Sequence, residues 1–162
     1  METLDILIDI RKIVRSINLE SKRVQRDFGI SIPQLLCLGH INRAEGKVAT
    51  HSELMKLLSL NSSTVTGIIN RLEKKHLLKR LPKAGDKRVT YIGITQEGST
   101  IVEKSPDILH DQLAKKIKSL PVSTQQKVKD ALSIIVQDMD IEKIDAAPVI
   151  TINEPIEPSN GS

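Results

Sequence analysis

The chain has 162 residues, 39% hydrophobic and 27% charged, a balance that suits one folded domain with a core and excludes global disorder. Aromatic residues make up 1%, one Phe and one Tyr with no Trp, so the core must be aliphatic, and the stacking platforms of single-strand and RNA binders are lacking. One cysteine excludes an internal disulfide, and the formal net charge of +4 conceals a cluster: Arg71 to Arg88 carry eight basic residues against Glu73 and Asp86, the footprint of a phosphate-backbone binder or of a solvated face.

The start, Met1-Glu2-Thr3 with Asp5 and Asp9 interrupting the apolar residues, is the wrong pattern for a signal peptide. No apolar run approaches the ~20 residues of a membrane span, so a cytoplasmic protein is expected. Leu4, Leu7, Ile10, Val14 and Ile17 then recur at spacings of three and four, predicting an amphipathic helix over residues 4–26 that Asp27-Phe28-Gly29 ends. Ser31-Ile32-Pro33-Gln34 has the pattern of a capping box with proline in the first turn, opening a second helix through Leu35, Leu36, Leu38 and Ile41. Cys37 lies between leucines there and is expected to be a core residue, not a redox sensor.

Thr50-His51-Ser52-Glu53 repeats the capping-box signature before Leu54, Leu57 and Leu58. After the break Ser59-Leu60-Asn61-Ser62, a further helix carries Val65, Ile68, Ile69 and Leu72 on one side. Two short helices so closely joined form a helix-turn-helix. The opposite side of the second helix presents Ser63, Thr66, Gly67, Asn70, Arg71 and Lys74, small and polar at its start and basic toward its end. Short hydrogen-bonding side chains let a helix approach base edges while Arg and Lys reach phosphates, so this is the pattern of a recognition helix.

Lys79-Arg80-Leu81-Pro82 and Val89 to Ile94 flank a Gly85-Asp86 turn and predict a two-stranded hairpin, a basic wing with its first strand at an edge. From Thr95, the apolar residues 101 to 120 predict a long amphipathic helix that Pro106 kinks and Pro121 stops. Ser123-Thr124-Gln125-Gln126 suggests another capping box ahead of Val128, Leu132, Ile135, Val136 and Met139. Two such apolar stripes exceed what a small winged domain can cover, which favours a dimer interface. Residues 145–162 hold three prolines and no basic residue and are expected to be a flexible tail.

The expected fold is mainly α with a small β-hairpin wing, a winged helix-turn-helix joined to a helical dimerisation region. This element order resembles the MarR family of bacterial transcriptional regulators. The resemblance is carried by Gly85-Asp86-Lys87-Arg88-Val89-Thr90-Tyr91-Ile92-Gly93-Ile94-Thr95, similar to that family's Asp-x-Arg wing signature, and by Ser52-Glu53-Leu54 and Thr64-Val65-Thr66 through Arg71-Leu72-Glu73-Lys74. It implies one domain over residues 1–144, with the winged core at 31–95 and dimerisation segments at 1–30 and 96–144. It further implies a two-fold homodimer, recognition helices in successive major grooves, Arg88 at the wing tip facing the minor groove, and Asp86 stabilising the wing. The Asp145-Ala146-Ala147-Pro148-Val149 segment resembles family members that control compatible-solute genes.

The candidate DNA-binding set is therefore Ser62, Ser63, Thr64, Thr66, Gly67, Asn70, Arg71, Lys74, Lys83, Lys87 and Arg88. The expected partners are double-stranded DNA at a pseudo-palindromic site, a second copy of the chain and a small-molecule effector, in a nucleoid-associated protein. No cofactor is expected. Metal-sensing members of the family place ligands on the helices holding His40 and His110, but His110 lacks a paired His one turn away, so no metal site is expected. No P-loop, dinucleotide loop, Gly-x-Ser-x-Gly or His-Glu-x-x-His motif is present, which argues against an enzyme. A repressor is the expected kind of regulator, with an activator left open. A winged-helix module that binds another protein is the alternative.

Overall fold

The computed structural model describes residues 3–82, 85, 88–105, 107–139 and 141. Helix α1 (Thr3–Phe28) ends at Gly29, whose φ of 66° is the left-handed conformation that glycine adopts without penalty. Helix α2 (Ile32–Arg43) opens with the expected capping box: Ser31 accepts from Gln34 N–H, and the Gln34 side chain accepts from Ser31 N–H. Nearly all of α2 is buried, so it is the central helix.

A short 3-10 turn, Glu45–Lys47, leads to strand β1 (Val48–Thr50), then α3 (His51–Leu58) and α4 (Ser62–Lys74). Strands β2 (Leu78–Arg80) and β3 (Tyr91–Ile94) follow. The expected hairpin forms, β2 pairing antiparallel with β3, and β1 adds a strand that was not expected, in the order β1-β3-β2. Val48 pairs with Gly93 and Leu78 with Ile94. Three residues ending in a helix cap gave β1 no readable alternation. β2 lies at an edge, and Pro82 falls just beyond it, where a missing N–H breaks no ladder bond.

Helix α5 (Gln96–Lys104) is capped by Thr95, which accepts from Gly98 N–H. The single kinked helix expected from 96 to 120 is two helices, because Ser105 and Ile108 are both extended and α6 begins at Leu109 (Leu109–Lys118). Ser105 precedes Pro106, and a residue before proline is pushed out of the helical region. Ile108, 2% exposed, then turns inward to join the core. The expected effect of Pro106 itself lies outside the described residues.

Helix α7 (Val122–Asp138) corrects a second expectation. The 123–126 capping box does not form, because Pro121 supplies the N-cap and Ser123 already lies within the helix. The Pro121 carbonyl accepts from Thr124 and Gln125 N–H, and the Gln125 amide donates to the Leu120 carbonyl.

The core is aliphatic, as the composition requires. Val24, Leu38, Ile41, Leu54, Val65, Ile69, Leu72 and Ile92 are sealed in it, together with Cys37, whose thiol burial pushes up to about 12. Among the described residues no helix is long and apolar enough to cross a membrane.

Candidate nucleic-acid interface

The helix-turn-helix is built by local chemistry. Thr50 and Glu53 form the capping box of α3, each side chain taking the other's backbone N–H. Ser59 ends α3 in the left-handed conformation, and Leu60 is buried, so the turn is tethered to the core. Asn61 then caps α4, its Oδ1 accepting from Thr64 N–H at 2.9 Å and from Ser63 Oγ at 2.8 Å. With Val65, Ile68, Ile69 and Leu72 buried, the rotation of α4 is fixed and its polar side faces outward.

The sequence-derived residues fall on that side. Ser62, Ser63, Thr64, Asn70, Arg71 and Lys74 are exposed, and Thr66 and Gly67 are half-buried. Arg71 folds back along the helix, Nε donating to the Gly67 carbonyl at 3.2 Å. Arg88 is exposed, three residues before β3. Lys83, Lys87 and Asp86 lie outside the described residues.

A cleft of about 630 Å³ brings Ser62 and Thr66 of α4 together with Arg88. Its other walls are Thr50, His51, Ser52 and Met55 at the start of α3 and the stretch Val89 to Tyr91 leading into β3. The first turn of α4 and the stretch from Arg88 to Tyr91 therefore border one concave surface. Asn70, Arg71 and Lys74 lie outside it, further along α4.

Two residues outside the candidate set act on this face. His51 Nε2 lies 3.0 Å from Thr66 Oγ1. The single Thr66 hydroxyl proton goes to the Ser62 carbonyl at 2.8 Å, so His51 Nε2–H must be the donor, which fixes its tautomer. The Thr66 hydroxyl is thus already engaged within the protein. Arg80, at the end of β2, pairs through Nη1 with Glu73 and donates from Nη2 to Asn70 Oδ1 at 2.6 Å. Glu73, the one acid in the basic run from Arg71 to Arg80, was the available signal. His51 gave none, since its contact with Thr66 depends on how α3 meets α4.

Residues 30–90 match the MarR family model, a span that holds α2, β1, the helix-turn-helix, β2 and Arg88. The chain is 27% identical over 126 residues to the multiple antibiotic resistance protein MarR of Escherichia coli, covering 73% of this chain and 86% of that protein. The winged core of the chain, residues 30–90, is thus similar to the MarR family. The fold is similar to that of S. aureus MepR, solved as a DNA complex, with a TM-score of 0.60 and 23% identity over 86% of this chain and 99% of that one. Sco3205 of Streptomyces coelicolor, a MarR family regulator also solved with DNA, gives a TM-score of 0.60 at 19% identity, covering 91% of this chain and 95% of that one. Both likenesses identify the winged-helix fold.

Proposed function

We propose that two copies of this chain bind a pseudo-palindromic duplex site and repress transcription by occupying it. The observation that carries this reading is the outward face of α4, uncharged from Ser62 to Asn70 and cationic from Arg71 to Lys74, sharing a concave surface with Arg88. Ser62, Ser63, Thr64, Thr66, Gly67 and Asn70 would meet the major groove, with Arg71, Lys74, Lys83 and Lys87 on phosphates and Arg88 in the minor groove. Asp86 would hold the wing. That MepR and Sco3205 were solved with DNA supports the choice of duplex as partner.

The helical segments 1–30 and 96–144 form the dimerisation region in this reading, with half-sites about one helical turn apart. Such a dimer, carrying DNA in the cytoplasm, excludes polymerase from the site it covers. Release belongs to a small effector or to rising osmolarity, the latter suggested by the 145–149 resemblance. A reporter assay with and without residues 145–162, at low and high osmolarity, checks that part.

Footprinting on the DNA upstream of the chain's own gene tests the reading directly. Protection of a two-fold site is expected, with affinity falling steeply as salt rises. Lys74→Ala or Lys83→Ala should each lower the log–log salt slope by about one. Affinity indifferent to salt, or equal on random duplex, would overturn it.

A further inference from the structure

The hydrogen bonds within the protein restrict what the recognition helix can say to a base. Arginine carries donors only, so the Asn70 atom 2.6 Å from Arg80 Nη2 must be the carbonyl oxygen, and the orientation of the Asn70 amide is fixed by chemistry. Arg80 is itself held on α4 through its second nitrogen and its backbone N–H, both directed at the Glu73 carboxylate. Asn70 and Glu73 stand three residues apart on one helix face, so the guanidinium bridges adjacent positions and β2 is clamped to α4.

Asparagine reads adenine by using both ends of its amide, accepting from N6–H and donating to N7. At Asn70 a cation on β2 takes one of the two lone pairs of the accepting end and holds that oxygen toward the strand, and among the described residues no acceptor takes its Nδ2 protons. With the oxygen weakened as an acceptor and tied to β2, the stronger offer Asn70 makes to a base is its pair of donors. Guanine presents two acceptors, N7 and O6, on the same edge of the major groove.

We infer that Arg80 is a specificity-determining residue: by holding the Asn70 carbonyl, it makes Asn70 read guanine in place of adenine. Arg80 touches no base in this scheme and acts as a positioning residue. The inference rests on the duplex-binding reading and adds to it the base beneath one side chain.

Selection of binding sites from a random duplex library, with the full-length protein and its variants, tests the idea. Asn70→Ala identifies the position, as the one whose preference flattens. The wild-type protein should favour guanine there by about tenfold over adenine. Arg80→Met frees the carbonyl, and adenine should rise to parity or above at that position alone, while Arg80→Lys, still a donor, should keep guanine. Should Arg80→Met fail to fold, Asn70→Asp replaces it: the carboxylate retains Arg80 and has no proton to give, so the guanine preference must vanish.

A wild-type protein that selects no sequence overturns the duplex-binding reading and this inference with it. A selected site with adenine at the Asn70 position overturns the inference alone. So does an Asn70→Ala variant that flattens no position, a folded Arg80→Met variant with unchanged preference, or an Asn70→Asp variant that still prefers guanine.

Discussion

Gly67 is the residue at which, in the proposed reading, helix stability and DNA approach oppose each other. A glycine inside a helix costs about 1 kcal/mol relative to alanine, and a Cβ built there meets only the flexible Arg71 guanidinium, at 3.3 Å. Gly67→Ala should therefore raise stability by about 0.5–1 kcal/mol in a urea melt while weakening duplex binding, because the methyl stands on the outward face and displaces Arg71. Unchanged binding would show that this face never comes close to a groove. Gly98 behaves oppositely: a Cβ there would lie 2.3 Å from the Leu77 carbonyl oxygen and 2.7 Å from Ile94. Backbone cannot yield as a side-chain tip can, so Gly98→Ala should cost about 1–3 kcal/mol by the same melt. Cys37 carries a pH signature. Its folded thiol titrates at about 12, against about 9 when unfolded, so both states hold the proton below pH 9 and no pH dependence arises there. Above 9 the unfolded chain releases a proton that the folded chain retains, and stability falls by about 1 kcal/mol per pH unit toward 12. Melts in that range, compared with Cys37→Ala, should show the variant losing less, and iodoacetamide should label Cys37 only as fast as the core opens.

At the scale of elements, what could be read from sequence was what is local. The capping boxes at Ser31 and Thr50, the short break between α3 and α4, and the apolar side of α4 are each written within a few neighbouring residues, and the fold contains all of them. The third strand, and the extent of the split between α5 and α6 beyond the local effect of Pro106 on Ser105, were not legible, because both depend on distant partners. β1 becomes a strand through its pairing with β3, and the 105–108 segment is held extended by the insertion of Ile108 into the core. The same holds for the interface: the residues of α4 were readable from periodicity, whereas the grips of His51 on Thr66 and Arg80 on Asn70 cross between elements. The start of α6 extends the point. Its N-cap, Ile108, has no side chain able to take an N–H; Glu20 of α1 does so instead, Oε1 accepting from Leu109 N–H at 2.6 Å while pairing with Arg23 at 3.6 Å. A carboxylate suits the positive end of a helix, and this one joins elements 89 residues apart in sequence. Glu20→Gln, which weakens both contacts, should cost about 1–2 kcal/mol in a denaturant melt. A value near zero would mean that α6 does not depend on this anchor.

At the scale of the whole molecule, the helices outside the winged core carry more apolar surface than one chain can cover. Neither α6 nor α7 buries a single residue, and α1, 26 residues long, buries only Glu20, Ser21 and Val24. Leu7, Leu113 and Leu132 are each half exposed or more. Helices of 10 and 17 residues are marginal without a packed face, and covering one leucine contributes about 1.5–3 kcal/mol. A second copy, as proposed above, would supply that cover and would also present two α4 helices to one duplex. Light scattering should therefore give twice the 18.0 kDa chain mass for the wild-type protein, and Leu113→Glu or Leu132→Glu should shift it toward one. Because the second half-site is engaged at high effective concentration once the first is bound, the monomeric variants should lose about a hundredfold in affinity for a full site. Their affinity for an isolated half-site should barely change, since each α4 is intact. A wild-type protein of single-chain mass at micromolar concentration, or variants that lose half-site binding equally, would show that the exposed stripes do not pair two copies and that the recognition helices act singly.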